Sequence, residues 1–180
     1  MMRAAVIGVG SMGRNHARVY REIPEVELLG VADVDASVAE EVARFYGIRA
    51  YTDYRAMLDE IKPDAITVSV PTQWHAPVVL DALSCGCHIL VEKPIAACVE
   101  EGETMIRAAH QANRILAVGH IERYNPAIIE LRRRLSRGEI GHIFQIHARR
   151  LGPFPSRVRD VGVIVDLAPH DLDIMRFLTG

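Results

Sequence analysis

A glycine-rich turn near the start of the chain, "GVGSMG", limits the possible folds more than any other feature. Gly8, Gly10 and Gly13 have the spacing G-x-G-x-x-G, directly after the apolar run "RAAVI" and at the start of a helix-like segment, "SMGRNHARVYREI". The next apolar run ends at Asp33, twenty residues after Gly13. A buried strand, a glycine turn, a helix and an acidic residue at this distance are typical of a dinucleotide-binding βαβ unit.

Each glycine has its own task in such a unit. Gly8 permits the tight turn, Gly10 lets the backbone approach a pyrophosphate, and Gly13 allows the helix to pack closely on the strand. The helix that follows begins near Ser11 and Met12, whose backbone N–H groups are expected to face the phosphates. A glycine turn without a ligand is the alternative interpretation of this motif.

Asp33 determines the expected cofactor. A carboxylate at this position accepts hydrogen bonds from the adenosine ribose hydroxyls and repels a 2′-phosphate. We therefore expect NAD, with NADP less favoured, although nearby arginines would weaken the preference.

Strand-like and helix-like segments alternate up to about residue 120, which predicts a Rossmann-type, doubly wound parallel sheet of the α/β class. The character changes from Asn125, where a helix is followed by an alternating segment, "HIFQIHARR", predicted to be an antiparallel strand, and by a last helix that runs to the chain end. We predict an NAD(P)-binding domain over 1–121 and the start of an incomplete α+β C-terminal domain over 122–180. The predicted strands of the first domain are "RAAVIGVG", "VELLGVADVD", "DAITVSVP", "HILVEKP" and "ILAVGH".

The turn "EKP" carries two opposite charges at the end of the strand "HILV". Ligands bind at the carboxyl ends of the strands in sheets of this type, so Lys93 is expected to reach the cofactor crevice. There it could hydrogen-bond a substrate hydroxyl and help to remove its proton, while Glu92 orients it or binds the cofactor. An ion pair on a surface loop is the alternative.

Composition excludes several other functions. The net charge of −2 lacks the basic excess that is typical of nucleic-acid-binding proteins. No apolar run has the roughly 20 residues of a membrane span. Cys85, Cys87 and Cys98 form no paired motif, and we interpret them as reduced, buried residues of a cytoplasmic protein. No metal site is predicted.

The segments "GVGSMG", "VADVD", "VPTQWH", "VEKP" and "DLAPHDLD" together resemble the glucose–fructose oxidoreductase / inositol dehydrogenase (Gfo/Idh/MocA) family of NAD(P)-dependent sugar and polyol oxidoreductases. The resemblance implies that Lys93 is the catalytic lysine. It also implies that Asp166 and His170 form the family's Asp-x-x-x-His motif, in which the histidine exchanges the hydroxyl proton. The implied cofactor residues, together with those of the glycine turn, are Asp33, Val70, Thr72, His75, Glu92 and Lys93.

Within that family, "GHIERYNPAI" and the segment from "GPFPSRVRD" onwards resemble the UDP-N-acetylglucosamine 3-dehydrogenase branch. The resemblance implies oxidation of C3 of a UDP-N-acetylhexosamine, with Arg123, Asn125, Arg157 and Arg159 as substrate-binding candidates, because arginine suits a diphosphate. A solvated arginine loop is the alternative for the last two.

Two other functions stay open, a polyol (inositol-type) dehydrogenase and a non-catalytic NAD(H)-binding homologue. Members of the family continue well beyond this length, so the chain is expected to be C-terminally truncated. The complete protein is expected to form a homo-oligomer through its C-terminal domain.

Overall fold

Six short strands form one parallel sheet in the computed structural model of the chain, which describes residues 1–149 and 163–180. The strand order is β3-β2-β1-β4-β5-β6, the order of a doubly wound dinucleotide-binding fold. The predicted α/β architecture is therefore confirmed. The strands are β1 (Met2–Ile7), β2 (Val26–Ala32), β3 (Arg49–Tyr51), β4 (Ala65–Val68), β5 (His88–Val91) and β6 (Leu116–Val118).

Helices connect the strands and cover both faces of the sheet. Alternate residues of β1 belong to different buried clusters: Val6 packs in the cluster that holds residues of α1 and α2, and Ala5 and Ile7 pack in the cluster that holds residues of α3, α4 and α5. This two-sided burial explains why the inner strands are almost wholly apolar. The helices are α1 (Ser11–Glu22), α2 (Ala36–Tyr46), α3 (Tyr54–Ile61), α4 (His75–Ser84), α5 (Val99–Gln111), α6 (Pro126–Ser136) and α7 (Val163–Thr179).

The chain divides into two compact units, Met1–Val118 and Gly119–Gly180. The first contains the whole sheet. The second contains a short 3₁₀ helix (Ile121–Tyr124), α6 and α7. The functional division at 121/122 stays a proposal.

The structure corrects three local predictions. Strand β3 was not predicted, because its three residues, "RAY", are mostly exposed and carry no apolar run. Residues 142–149, the described part of a predicted strand, are irregular, because their backbone groups form no strand pairing within the described residues. Of the cysteines only Cys87 is buried, whereas Cys85 and Cys98 are exposed where α4 ends and α5 begins.

Candidate functional site

The glycine turn follows β1 at the carboxyl edge of the sheet, beside the end of β4. Gly8 has a φ of +82°, and a Cβ there would lie 2.6 Å from the carbonyl oxygen of Ser69. A Cβ on Gly13 would lie 1.9 Å from the carbonyl oxygen of Gly8, so α1 packs against the turn in a way that only glycine allows. A Cβ on Gly10 would meet no atom within 4 Å.

The open space at Gly10 and the helix start beside it suit a phosphate group. Gly10 precedes α1, and its first residues are Ser11, which is exposed, and Met12, which is half-buried. The first turn of α1 contains no acidic side chain. Free N–H groups and a positive dipole end, without a competing carboxylate, fit the pyrophosphate of a dinucleotide.

Asp33 follows β2 and lies next to the glycine turn. Its Oδ2 accepts a hydrogen bond from the backbone N–H of Val9 at 2.8 Å, and its Oδ1 accepts one from the N–H of Asp35 at 3.1 Å. The carboxylate is thus fixed beside the turn. The nearby guanidinium of Arg14 forms two hydrogen bonds with the Glu41 carboxylate, at 2.8 and 2.6 Å, so its charge is already partnered.

The segment after β4 is connected to the segment after β5 through His75. The side chain of His75 is buried, and its Nε2 and Nδ1 lie 2.9 Å from the carbonyl oxygens of Val70 and Pro94. The ring of His75 therefore lies against both turns, and a ring nitrogen that carries a hydrogen donates it to the carbonyl oxygen beside it. Thr72, which begins a short 3₁₀ helix (Thr72–Trp74) in the segment after β4, is also buried. These residues lie at the predicted cofactor edge. There the His75 side chain contacts the loop after β4 and the loop after β5.

The EKP turn leaves the end of β5 with a cis peptide bond between Lys93 and Pro94. Glu92 is only 8% exposed, and its Oε1 accepts a hydrogen bond from Nε2 of His16 at 2.8 Å. Its Oε2 accepts the backbone N–H of Lys93 at 3.2 Å. Burial acts to raise the pKa of Glu92, but the hydrogen bonds from His16 and Lys93 and their charges outweigh it, and the pKa lies below its ordinary value.

His16, which contacts Glu92 at this edge of the sheet, is not among the site residues predicted from the sequence. It lies three residues after Gly13, on α1, and 76 residues before its partner Glu92. The one available signal is its place in the helix that opens at the glycine turn, where side chains one turn along face the sheet.

In the second unit the two substrate-binding candidates that the structure describes make internal contacts. Asn125 caps α6: its Oδ1 accepts the backbone N–H of Ala127 at 3.1 Å. The Nε of Arg123 donates to Oδ2 of Asp173 at 2.8 Å, its Nη2 donates to Oδ1, and its guanidinium lies 5.5 Å from the ring centre of Phe177. These contacts hold the 3₁₀ helix, α6 and α7 of this unit in place.

We expect Arg123→Ala to lower the free energy of unfolding of the second unit by about 1–3 kcal/mol, because it leaves the buried Asp173 carboxylate without the two hydrogen bonds that Arg123 donates. The hydrogen bond from Arg123 lowers the pKa of Asp173 although burial opposes it. A lowered folded-state pKa means that this stabilisation is present above the unfolded pKa of about 4 and is lost as the pH falls through the folded value. Thermal unfolding of wild type and variant between neutral and acidic pH measures it; equal melting temperatures at neutral pH would contradict the assignment.

Asp166 and His170 lie one helical turn apart on α7, and the side chain of His170 is half-buried. The predicted substrate-binding residues Arg157 and Arg159 lie outside the described residues. In the part of the chain that is described, no group of three or more His, Cys, Asp or Glu side chains could hold a metal ion. No helix in that part is long and apolar enough to cross a membrane.

Comparison with known proteins decides the family. Residues 2–120 match the GFO_IDH_MocA oxidoreductase family with its NAD-binding Rossmann fold, and residues 128–180 match a GFO/IDH/MocA C-terminal domain. The chain belongs to the Gfo/Idh/MocA family. Its first 120 residues are the family's NAD-binding fold.

Several Gfo/Idh/MocA proteins match almost the whole chain. UDP-N-acetylglucosamine 3-dehydrogenase of Acidithiobacillus ferrooxidans is 41% identical over 99% of the chain and 55% of its own length. A solved structure of that enzyme has a TM-score of 0.87, and the match covers 99% of this chain and 57% of the enzyme chain. The NAD(+)-dependent scyllo-inositol 2-dehydrogenase of Bacillus subtilis is 32% identical over 99% of the chain and 54% of its own length. The solved structure of GenD2 from gentamicin A biosynthesis, in complex with NAD, is 26% identical, with a TM-score of 0.88 and coverages of 99% and 54%. The chain thus spans about half the length of the curated relatives it matches.

The Gfo/Idh/MocA fold brings all the predicted cofactor residues to one edge of the first unit. They follow the carboxyl ends of β1, β2, β4 and β5, the four central strands of the sheet order. Their individual contacts with a cofactor stay predictions. The residues are Gly8, Gly10, Ser11, Met12, Gly13, Asp33, Val70, Thr72, His75, Glu92 and Lys93.

Proposed function

We propose that the protein containing this chain is an NAD-dependent oxidoreductase that oxidises a sugar hydroxyl, C3 of a UDP-N-acetylhexosamine. The observation that carries this proposal is the 41% identity, over 99% of the chain, with a UDP-N-acetylglucosamine 3-dehydrogenase. The fit of the glycine turn to a pyrophosphate and the position of Asp33 beside it support NAD as the cofactor.

In this proposal the residues Lys93, Asp166 and His170 act on the substrate hydroxyl. Bound NAD⁺ supplies the acceptor for the hydride that leaves the carbinol carbon. His170 takes the hydroxyl proton, so the C–OH group becomes a ketone and the electron pair and proton are both accounted for. Lys93 polarises the hydroxyl or relays the proton, and Asp166 orients His170.

An inositol-type polyol dehydrogenase is the second candidate, favoured by the 32% identity with scyllo-inositol 2-dehydrogenase. Both substrates carry a secondary hydroxyl, and only the nucleotide sugar carries a diphosphate. Turnover of UDP-N-acetylglucosamine and scyllo-inositol by the complete protein, followed by the absorbance of NADH, separates the two. A rate with scyllo-inositol that equals or exceeds the rate with the nucleotide sugar would overturn the first candidate.

We further propose that the protein is cytoplasmic, acts on small molecules without nucleic acid or membrane partners, and forms homo-oligomers through its C-terminal domain. Support comes from its net charge of −2 and its unpaired cysteines. Oligomer formation rests on the family resemblance. Residues 1–121 would bind the cofactor, and residues 122–180 would belong to the substrate and oligomerisation domain.

The Asp33→Asn variant tests the proposed preference for NAD. An amide keeps an oxygen that can accept the N–H of Val9, but it removes the charge that repels a 2′-phosphate. We expect NADH to bind the wild-type chain well and NADPH poorly, and the variant to narrow that difference by roughly tenfold or more, since a hydrogen bond to a charged group contributes about 1.5–3 kcal/mol. Calorimetric titration of both dinucleotides measures it. An unchanged ratio would show that Asp33 does not select the cofactor.

A further inference from the structure

The guanidinium of Arg14 is held by a carboxylate of the following helix. Arg14 is the fourth residue of α1 and directly follows Gly13, and Glu41 lies in the middle of α2. Nη1 and Nη2 of Arg14 donate hydrogen bonds to Oε1 and Oε2 of Glu41 at 2.8 and 2.6 Å. The two terminal nitrogens and the two carboxylate oxygens therefore form one bidentate pair, which is a strong arrangement for these groups.

This bidentate pair lies beside Asp33, the residue proposed to select the dinucleotide. The Asp33 carboxylate accepts the backbone N–H of Val9, just before the helix that carries Arg14. The hydrogen bonds with Glu41 raise the pKa of Arg14 although burial opposes them, and the charges of Glu41 and Asp33 add to the rise. The guanidinium is therefore close enough to Asp33 for the two charges to interact. A phosphate on the ribose that Asp33 is proposed to bind would come within the same range of Arg14.

An available arginine at this place would favour NADP. The guanidinium binds a phosphate through its bidentate fork, and an arginine near the ribose is the group that accommodates a 2′-phosphate in dinucleotide-binding folds. In this chain Glu41 occupies that fork. A 2′-phosphate would have to displace the Glu41 carboxylate from Arg14, and it would be repelled by the negative charges of Glu41 and Asp33.

We infer that Glu41 is a specificity-determining residue, because it occupies the guanidinium that a 2′-phosphate would otherwise bind. The inference deepens the proposed preference for NAD and rests on dinucleotide binding at the glycine turn. Asp33 acts on the ribose itself, whereas Glu41 acts through Arg14. Two carboxylates on different elements thus disfavour the same phosphate in two different ways.

Glu41→Gln in the complete protein tests this inference. The amide keeps the shape of the side chain but lacks the charge that holds the guanidinium, so Arg14 can turn toward a 2′-phosphate. The side chains of Arg14 and Glu41 are 41% and 64% exposed, and exposed ion pairs are weak. We therefore expect NADPH to bind about three- to tenfold more tightly and NADH to stay within about twofold of the wild type. Calorimetric titration at low salt measures both affinities, and an unchanged ratio would overturn the inference.

The same substitution in an Arg14→Ala background separates release of the arginine from loss of a repelling charge. Without the guanidinium, Glu41→Gln should no longer strengthen NADPH binding. A gain of the same size in this background would show that Glu41 acts by repulsion alone, or through Arg44, whose charge also acts on Glu41. That result would overturn the assigned role of Glu41.

Glu22→Gln is the matched control. It removes the same charge from another exposed ion pair of α1, in which Nη1 of Arg18 donates to Oε1 of Glu22 at 2.6 Å at the far end of the helix. Both dinucleotides should bind this variant as they bind the wild type. A gain in NADPH affinity equal to that of Glu41→Gln would show an effect of net charge alone, and the inference would fall.

The titrations need no sugar, so they separate this inference from the proposed substrate. If the complete protein did not oxidise UDP-N-acetylglucosamine while Glu41→Gln still strengthened NADPH binding through Arg14, the proposed substrate would fail and the role of Glu41 would stand. If the protein oxidised the nucleotide sugar with NAD and Glu41→Gln left the preference unchanged, the proposed function would stand and the role of Glu41 would fail.

Discussion

A methyl group at position 13 should abolish NADH binding and lower the free energy of unfolding of the chain by about 3–5 kcal/mol, the upper range for single substitutions. The Cβ of Gly13→Ala would lie 1.9 Å from the carbonyl oxygen of Gly8, which is backbone and is fixed by the hydrogen bond from the Gly8 N–H to Ala32 at 2.8 Å. Helix α1 would have to move away from β1 and would lose its place at the dinucleotide. Denaturant unfolding and calorimetric titration with NADH measure the two effects.

Gly10→Ala is the matched control. It adds the same methyl group at the residue immediately before α1, but no atom lies within 4 Å of the new Cβ, and the backbone at Gly10 is extended. The variant should therefore unfold like the wild type and still bind NADH more weakly, because the methyl group fills the space that the pyrophosphate needs. Unfolding of both variants at the wild-type midpoint would contradict the close packing at Gly13, and undiminished NADH binding by Gly10→Ala would place the pyrophosphate elsewhere.

Lys93→Ala should reduce kcat of the complete protein by about 10²–10⁴-fold, the usual contribution of a group that transfers a proton. The substitution removes the amine and leaves the glycine turn and Asp33 in place, so NADH affinity should change far less than the rate. The rate of NADH formation with UDP-N-acetylglucosamine, together with a binding titration, gives both quantities.

Lys62→Ala is the control for that variant, because Lys62 is the other lysine of the chain and lies at the far edge of the sheet. It should turn over substrate at the wild-type rate. A wild-type rate that survived both Lys93→Ala and His170→Ala would eliminate the proposed mechanism.

The sheet and its cofactor edge follow from local sequence signals. The glycine turn, the buried apolar runs and the acidic residue after β2 are each specified by neighbours close in the chain, so their pattern is visible without a structure. Gly47 illustrates the same point, because a glycine directly after a helix-like segment is a local helix-end signal, and Gly47 ends α2 with a φ of +67°.

Features that depend on distant partners could not be predicted. The pairing of His16 with Glu92 exists only once α1 has packed on the sheet, and no residue near either partner in the sequence indicates it. Residues 142–149 alternate as a strand does, yet alternation forms a strand only where a neighbour supplies the hydrogen bonds. Asn125 differs from these features, because Asn followed by Pro is a local helix-start signal and predicts the cap that Asn125 forms on α6.

The strand order also separates the residue proposed to select the dinucleotide, Asp33, from the residue proposed to act in proton transfer, Lys93. Asp33 follows β2 and Lys93 follows β5, and with β1 and β4 between them these strand ends are three inter-strand spacings apart, about 14 Å. That distance exceeds the Debye length of about 8–10 Å at physiological salt, so salt weakens the interaction between charges that reach water at the two strand ends. In the proposed mechanism, dinucleotide preference and acid–base chemistry can therefore change separately, each through substitutions at its own strand end.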